Sequence, residues 1–63
     1  MYLICRNYKD GFSITDCTDS DTPPSQVFGA CSVYAFDNDL IDLIVIDKST
    51  GAVIVNYHKA QGN

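Results

Sequence analysis

Residues 2–8 are mostly apolar and residues 12–15 alternate between apolar and polar side chains, with a turn sequence between the two segments at residues 9–11. A period of two predicts strands over 2–8 and 12–17 that pair as a hairpin. A three-residue loop, with its glycine in the left-handed region, pairs Tyr8 with Phe12. Burial favours this register because a slip by one residue would mix apolar and polar side chains on both faces. In this register one face carries most of the large apolar side chains and the other carries small and polar ones. The first face has Ile4, Tyr8, Phe12 and Ile14 with Tyr2, Arg6 and Asp16, and the second has Leu3, Cys5, Asn7, Ser13, Thr15 and Cys17. Arg6 and Asp16 lie close enough to form an ion pair.

The most apolar part of the chain lies near the C-terminus, on both sides of the turn sequence 48–51. Its flanks are rich in β-branched residues and nearly continuously apolar, which predicts two strands, 40–47 and 52–58, that are buried on both faces. With a loop from Lys48 to Gly51, the predicted register pairs Ile46 with Val53 and Ile44 with Val55 on one face, while Val45 and Ile54 share the other.

Residues 24–36 are compatible with two structures. As a helix they present an apolar stripe about 160° wide. The polar loop 17–26 that leads into them contains Thr22 and Pro23, which are typical of a helix cap and a first helical position. We therefore expect a helix. The alternative is a strand over 27–36, because valine, phenylalanine, cysteine and tyrosine favour strands.

These elements predict an α+β fold in which two antiparallel hairpins and one short helix pack as two layers in the order ββαββ. A strand over 27–36 would make the fold all-β instead. The length of 63 residues is that of a single small domain, 1–63. A chain this short buries only about 60% of the surface that its unfolded form exposes, so its core is small.

One helix covers one face of a small sheet, whereas the predicted C-terminal hairpin is apolar on both faces. The second face therefore needs a cover, and we expect a partner protein or a second copy of the chain to supply it. A tightly curled sheet, or the loop 17–26, is the competing cover. In a self-associating structural module, the residues expected at the homodimer contact are Ile44, Val45, Ile54 and Val55.

The charges are divided unevenly along the chain, with a net charge of −4. All eight acids are aspartates between positions 10 and 47, and all four bases lie outside that block. A nucleic-acid-binding protein needs cations along its footprint, so we expect no direct binding to nucleic acid or to an anionic membrane. No apolar run approaches the roughly 20 residues of a membrane-spanning helix. An acidic surface attracts basic partners, although aspartates also keep small proteins soluble and cap turns.

We therefore expect a small acidic protein-binding module, an inhibitor or adaptor that docks on a basic or apolar protein surface. A nucleic-acid-handling complex is a suitable partner because carboxylates can stand in for phosphates. Size alone favours a source in a phage or another mobile element. The candidate binding residues are Asp19, Asp21, Asp37, Asp39 and Asp42, with Tyr34 and Tyr57 as surface anchors that combine apolar area with a polar tip.

Other chemistries have weaker support. A zinc-stabilised module is the remaining alternative, although the sequence contains no Cys-x-x-Cys pair. We interpret the three cysteines as reduced thiols, mostly in the core, and their odd number without a secretory signal favours the cytoplasm. We expect no enzymatic activity, metal or cofactor, because so short a chain leaves little room for a pocket of a few hundred Å³. The residues weighed for a zinc site are Cys5, Cys17, Cys31 and His58.

Overall fold

The computed structural model describes residues 1–59 and has the order ββαββ that the sequence predicts. Residues 27–35 are helical, so the alternative of a strand and an all-β fold is wrong. The elements are β1 (Tyr2–Tyr8), β2 (Ser13–Cys17), α1 (Pro24–Ala35), β3 (Leu40–Asp47) and β4 (Val53–His58).

The N-terminal hairpin has the predicted register. The backbone N–H of Tyr8 donates to the carbonyl oxygen of Phe12 at 2.8 Å, which closes a three-residue loop. Gly11 has a φ of +86° in that loop, a conformation that glycine adopts without steric cost. Arg6 lies opposite Ile14, so the apolar side chains of both strands share one face.

The two hairpins join through β1 and β3, which gives a four-stranded antiparallel sheet in the order β2-β1-β3-β4. Leu3 to Asn7 lie opposite Ile46 to Asp42 in this central pairing. As a result, β1 and β3 are flanked by strands on both sides, while β2 and β4 are the two edges of the sheet.

The C-terminal hairpin departs from the predicted register. Ile46 lies opposite Val53 as expected, but Val45 lies opposite Val55 and Ile44 opposite Asn56. A β-bulge inserts Ile54 as one extra residue in β4. The predicted pairs of Ile44 with Val55 and of Val45 with Ile54 are therefore wrong. The extra residue lets Val55 join Val45 on the side of the sheet that the helix covers.

The core lies between α1 and one face of the sheet. Val27 and Cys31 of the helix pack against residues of β1 and β3 that share that face, and burial raises the pKa of the Cys31 thiol. Half-buried tyrosines and the two residues at the bulge surround this cluster. The buried side chains are Ile4, Val27, Cys31, Leu40, Leu43 and Val45.

The start of the helix differs from the prediction by one residue. Pro23 is the cap, and Pro24 takes the first helical position, which needs no N–H donor. The predicted cap, Thr22, makes no side-chain hydrogen bond to the helix. Two consecutive prolines thus fix the point at which the backbone changes from extended to helical, and no side-chain hydrogen bond caps the helix there. No helix in residues 1–59 is long and apolar enough to cross a membrane.

The face of the sheet opposite the helix is called the open face, since no element of residues 1–59 packs on it. The loop 18–23 does not cover it, because Thr18, Asp19 and Thr22 lie beside Val27 on the helix side. One end of the open face is apolar and the other polar. Its rows across the four strands are Cys17, Leu3, Ile46 and Val53, then Thr15, Cys5, Ile44 and Asn56, then Ser13, Asn7, Asp42 and His58.

The residues predicted for a homodimer contact are mostly internal. Val45 is fully buried, and Ile54 and Val55 are half-buried against the core cluster. Only Ile44 lies on the open face, where it is half-buried between its strand neighbours. A second copy that covered the open face would meet Leu3, Ile46 and the exposed Val53, together with Ile44 as the one member of the predicted set.

Candidate binding groove between the helix and strand β2

The helix leaves part of its own side of the sheet uncovered. It packs chiefly over β3, whereas β2 at the edge receives little cover from it. Phe12 and Ile14 point to this side, and Phe12 is 59% exposed. Two hollows lie along this side, between β2 and the helix or the loops at its ends, and together they are called the groove.

The upper hollow lies at the end of the groove near the β1–β2 turn and has a volume of about 340 Å³. This volume falls in the range of small ligand sites, so the expectation that the chain has little room for a concave site is wrong. Three aromatic or aliphatic side chains form its apolar wall, and three carboxylates and one ammonium form its rim. The lining residues are Tyr8, Phe12 and Ile14, with Asp10, Asp37, Asp39 and Lys9.

Backbone hydrogen bonds hold two of the three carboxylates in place. Asp10 Oδ1 accepts the N–H of Phe12, and Asp37 Oδ1 accepts the N–H of Asp39, each at 3.0 Å. The Asp39 carboxylate makes no hydrogen bond within residues 1–59. Lys59 Nζ donates to the carbonyl oxygen of Asp37 at 2.8 Å. The fold thus brings Lys9 and Lys59, which lie outside the acidic block of the sequence, close to these aspartates.

Arg6 divides the groove between its two hollows. Its Nη2 donates to Asp16 Oδ2 at 2.8 Å, which confirms the predicted ion pair, and its Nη1 donates to the Tyr8 hydroxyl at 3.0 Å. The guanidinium also lies 4.2 Å from the ring centre of Tyr34 on the helix. Burial would lower the pKa of Arg6, but the hydrogen bond to Asp16 and the charges of Tyr8 and Tyr34 raise it.

The lower hollow lies near the start of the helix and has a volume of about 250 Å³. Its floor contains Ile4 and Val27 from the core, and its rim contains Asp19 from the loop after β2. Cys17, Thr18, Thr22, Gln26 and Ala30 complete the lining. This hollow is more polar than the upper one and carries one carboxylate in place of three.

The structure brings only some of the predicted binding residues to the groove. Asp37 and Asp39 line the upper hollow and Asp19 the lower, whereas Asp21 lies in the exposed loop beyond the lining. Tyr34 is half-buried and already stacks on Arg6, so it is not a free surface anchor. Two predicted residues lie elsewhere: Asp42 on the open face and Tyr57 on the other edge strand, β4.

Sequence reasoning missed the apolar part of the groove. Phe12 and Ile14 belong to the face of the hairpin that is expected to be buried. No sequence feature near them shows that the helix leaves them uncovered. Asp10 could have indicated an acidic position in the groove, because it directly precedes the turn glycine and an aromatic residue. Its approach to Asp39 depends on the contact between the backbone N–H of Lys9 and the carbonyl oxygen of Asp39 at 2.9 Å.

The polar row of the open face forms a hydrogen-bonded ladder across all four strands. Ser13 Oγ donates to Asn7 Oδ1 at 2.7 Å, and Asn7 Nδ2 lies 3.4 Å from Asp42 Oδ2. His58 Nδ1 is hydrogen-bonded to Asp42 Oδ1. The bond from His58, assisted by that from Asn7, lowers the pKa of Asp42.

The lowered pKa of Asp42 predicts a pH-dependent contribution to stability. A carboxyl group whose pKa is lower in the folded chain stabilises it above its ordinary pKa, 3.8, and loses this effect as pH falls through the lowered value. We expect Asp42→Asn to melt at a lower temperature than the wild type at pH 7, with the gap closing below about pH 4. Melting curves followed by circular dichroism from neutral to acidic pH measure this gap. Asp21→Asn is the control for loss of one charge, and a gap that does not change with pH would contradict the role of Asp42.

The cysteines and the histidine do not converge. Cys31 lies in the core on the helix side, while Cys5, Cys17 and His58 belong to the open face. All three cysteines are free thiols. In residues 1–59, no group of three or more histidine, cysteine, aspartate or glutamate side chains is arranged to hold a metal ion.

No family model, curated protein or solved structure matches the chain.

Proposed function

We propose that the chain is a protein-binding module that receives a basic segment of another protein in the groove between α1 and β2. The observation that carries this proposal is the upper hollow, where an apolar wall faces three carboxylates and a single ammonium. Lysine and arginine side chains have the matching construction, an apolar stem that ends in a cation. The stem packs against Phe12 and Ile14, and the cation approaches Asp39.

Electrostatic complementarity gives such a module specificity and a fast encounter. The acids along the groove repel phosphates, so nucleic acid is a poor occupant and a basic protein surface a good one. A module of this kind acts as an inhibitor or adaptor when it occludes a basic surface that otherwise holds nucleic acid. A nucleic-acid-handling complex in the cytoplasm of a phage-infected cell remains our candidate setting.

Self-association remains the second candidate. The specific observation in its favour is the apolar row of the open face, in which Val53 is 55% exposed and no element of residues 1–59 lies over the half-buried Leu3 and Ile46. The groove has the stronger support, because it combines a concave shape with complementary charge.

The groove is tested with a labelled eight-residue peptide of alternating arginine and valine. We expect Asp39→Asn to weaken binding about two- to fivefold at low salt, the range of one exposed ion pair. Raising the salt from about 50 to about 300 mM should weaken wild-type binding and reduce the difference between the proteins. Fluorescence anisotropy measures both effects.

Asp21→Asn is a matched control, since it also removes one charge and its carboxylate makes no hydrogen bond within residues 1–59. It should leave the affinity within error of the wild type. Equal losses for the two variants would indicate a general charge effect without a groove. Equally tight binding of an alternating glutamate–valine peptide would contradict the proposed function outright.

A further inference from the structure

The backbone of β2 presents regularly spaced hydrogen-bonding groups at one edge of the sheet. Tyr8 N–H bonds to the Phe12 carbonyl, and Thr18 N–H bonds to the Tyr2 carbonyl at 2.9 Å. Backbone groups of an antiparallel strand face its neighbour at every second residue, so Ile14 and Asp16 also face β1. The intervening residues turn their N–H and C=O groups outward, and these are Ser13, Thr15 and Cys17.

Within residues 1–59, this edge lacks the bulge, the proline and the lysine within the strand that commonly prevent strand pairing, although β2 is short and carries Asp16. Natural sheets block edges with bulges, prolines, lysines or an overlying element. The β1–β2 ladder has no register shift, and β2 contains neither proline nor a basic residue. The opposite edge differs, because β4 carries the bulge at Ile54. Within residues 1–59, β2 has β1 as its single strand neighbour.

We propose that the basic segment binds by adding to β2 as a fifth strand, with a basic residue at every second position. This inference rests on the proposed function of the groove and specifies how the side chains of the partner reach it, because the added backbone lies along the outer side of β2. The added backbone bonds to Ser13, Thr15 and Cys17, and affinity comes largely from these main-chain bonds, as in other cases of strand addition.

The pairing also determines where the side chains of the partner go. Residues directly opposite one another share a face of the sheet, so partner residues opposite Ile14 and Asp16 project to the helix side, beside the groove. In an antiparallel addition these are the non-hydrogen-bonded positions, where opposing side chains approach most closely.

The charges favour a cation at these alternate positions. The Asp16 side chain is 53% exposed although it is bonded to Arg6, so its carboxylate is open to a second cation. A basic residue opposite Asp16 lies between the two hollows. The next alternate position along the added strand is about 6.8 Å away, beside Ile14 and the apolar wall of the upper hollow.

Two variants test which edge is used. Thr15→Pro removes an N–H that points away from β1, so the change costs no hydrogen bond within the sheet. We expect it to weaken binding of the arginine–valine peptide at least about tenfold, because the proline ring also obstructs the incoming strand. Asn56→Pro is the matched control on β4, since Tyr57 and Val55 face β3 and Asn56 faces outward. The control should bind the peptide within twofold of the wild type.

Modified peptides test the same pairing on the unaltered chain, so the result does not depend on how a variant folds. With arginines on the helix side, the valine N–H groups face β2 and the arginine N–H groups face away. N-methylation of the valines should therefore abolish binding, while N-methylation of the arginines should preserve it. Equal affinities, or the reverse preference, would overturn strand addition on the helix side, and so would failure of the unmodified peptide to bind.

The outcomes separate the two proposals. If Asp39→Asn weakens binding while Thr15→Pro and valine methylation do not, the groove receives a basic partner without strand addition. If Thr15→Pro abolishes binding and Asp39→Asn has no effect, strand addition occurs without the proposed contribution of the upper hollow.

Discussion

Leu43→Ala is expected to lower the free energy of unfolding by about 2–5 kcal/mol. Leu43 lies on the central strand β3, is 1% exposed and belongs to the core cluster that joins the sheet to the helix. Shortening it removes apolar burial and leaves a cavity that the surrounding chain fills only in part. A chain of this length has a total stability of about 3–9 kcal/mol, so the variant should lose a large share of its stability and unfold at a much lower urea concentration.

Urea unfolding followed by circular dichroism measures this loss. Val33→Ala is the matched control, because Val33 is 69% exposed on the outer side of the helix. Its replacement should change stability by less than about 0.5 kcal/mol, since alanine is also the better helix former. Similar losses for both variants would contradict the placement of the core between α1 and the sheet.

The features that sequence predicted correctly are local in the chain. The Tyr8–Phe12 pairing depends on a glycine turn and on a period of two over a few neighbouring residues. The ion pair between Arg6 and Asp16 follows directly from that register. Each was predictable because the burial of one face penalises every other pairing of the two strands.

The features that sequence missed depend on distant contacts or on an irregular backbone. The pairing of β1 with β3 brings Asn7 opposite Asp42, and no local pattern in either strand specifies it. The bulge at Ile54 also gives no sequence signal, because β-branched residues surround it on both sides. One extra residue was enough to move Val55 from the face that it was predicted to share with Ile44 to the face that packs on the core.

The acidic block shows why sequence proximity was a poor guide to the site. Asp19 and Asp39 lie at opposite ends of the helix, although both belong to the same block. Asp10 lies far from Asp39 in sequence, yet both line the upper hollow. The sheet also returns Lys9 and Lys59 to the vicinity of Asp37 and Asp39, so the surface is a groove with acidic positions instead of one continuous acidic face.

Arg6→Met is expected to lower the free energy of unfolding by about 1–3 kcal/mol, the second largest loss after that of Leu43→Ala. Arg6 is the polar connection between sheet and helix, with its guanidinium over the Tyr34 ring and bonds to Asp16 and Tyr8. Methionine keeps the apolar length but loses a largely desolvated cation–π contact and a charge-assisted hydrogen bond. Urea unfolding measures the loss, and Arg6→Lys should recover only part of it, because an ammonium lacks the planar fork of a guanidinium.

A double-mutant cycle isolates the contact between sheet and helix. Arg6→Met and Tyr34→Leu, made singly and together, should show a coupling energy of about 0.5–2 kcal/mol, because either single substitution already removes the contact that the two side chains share. Asp16→Asn with Tyr34→Leu is the control pair and should show a smaller coupling, since Asp16 reaches Tyr34 only through Arg6. Strict additivity in the first cycle would mean that the stacked guanidinium does not hold the helix against the sheet. Arg6→Met also frees the Asp16 carboxylate from its internal cation, so a peptide that binds along β2 should show a stronger preference for arginine at the position opposite Asp16.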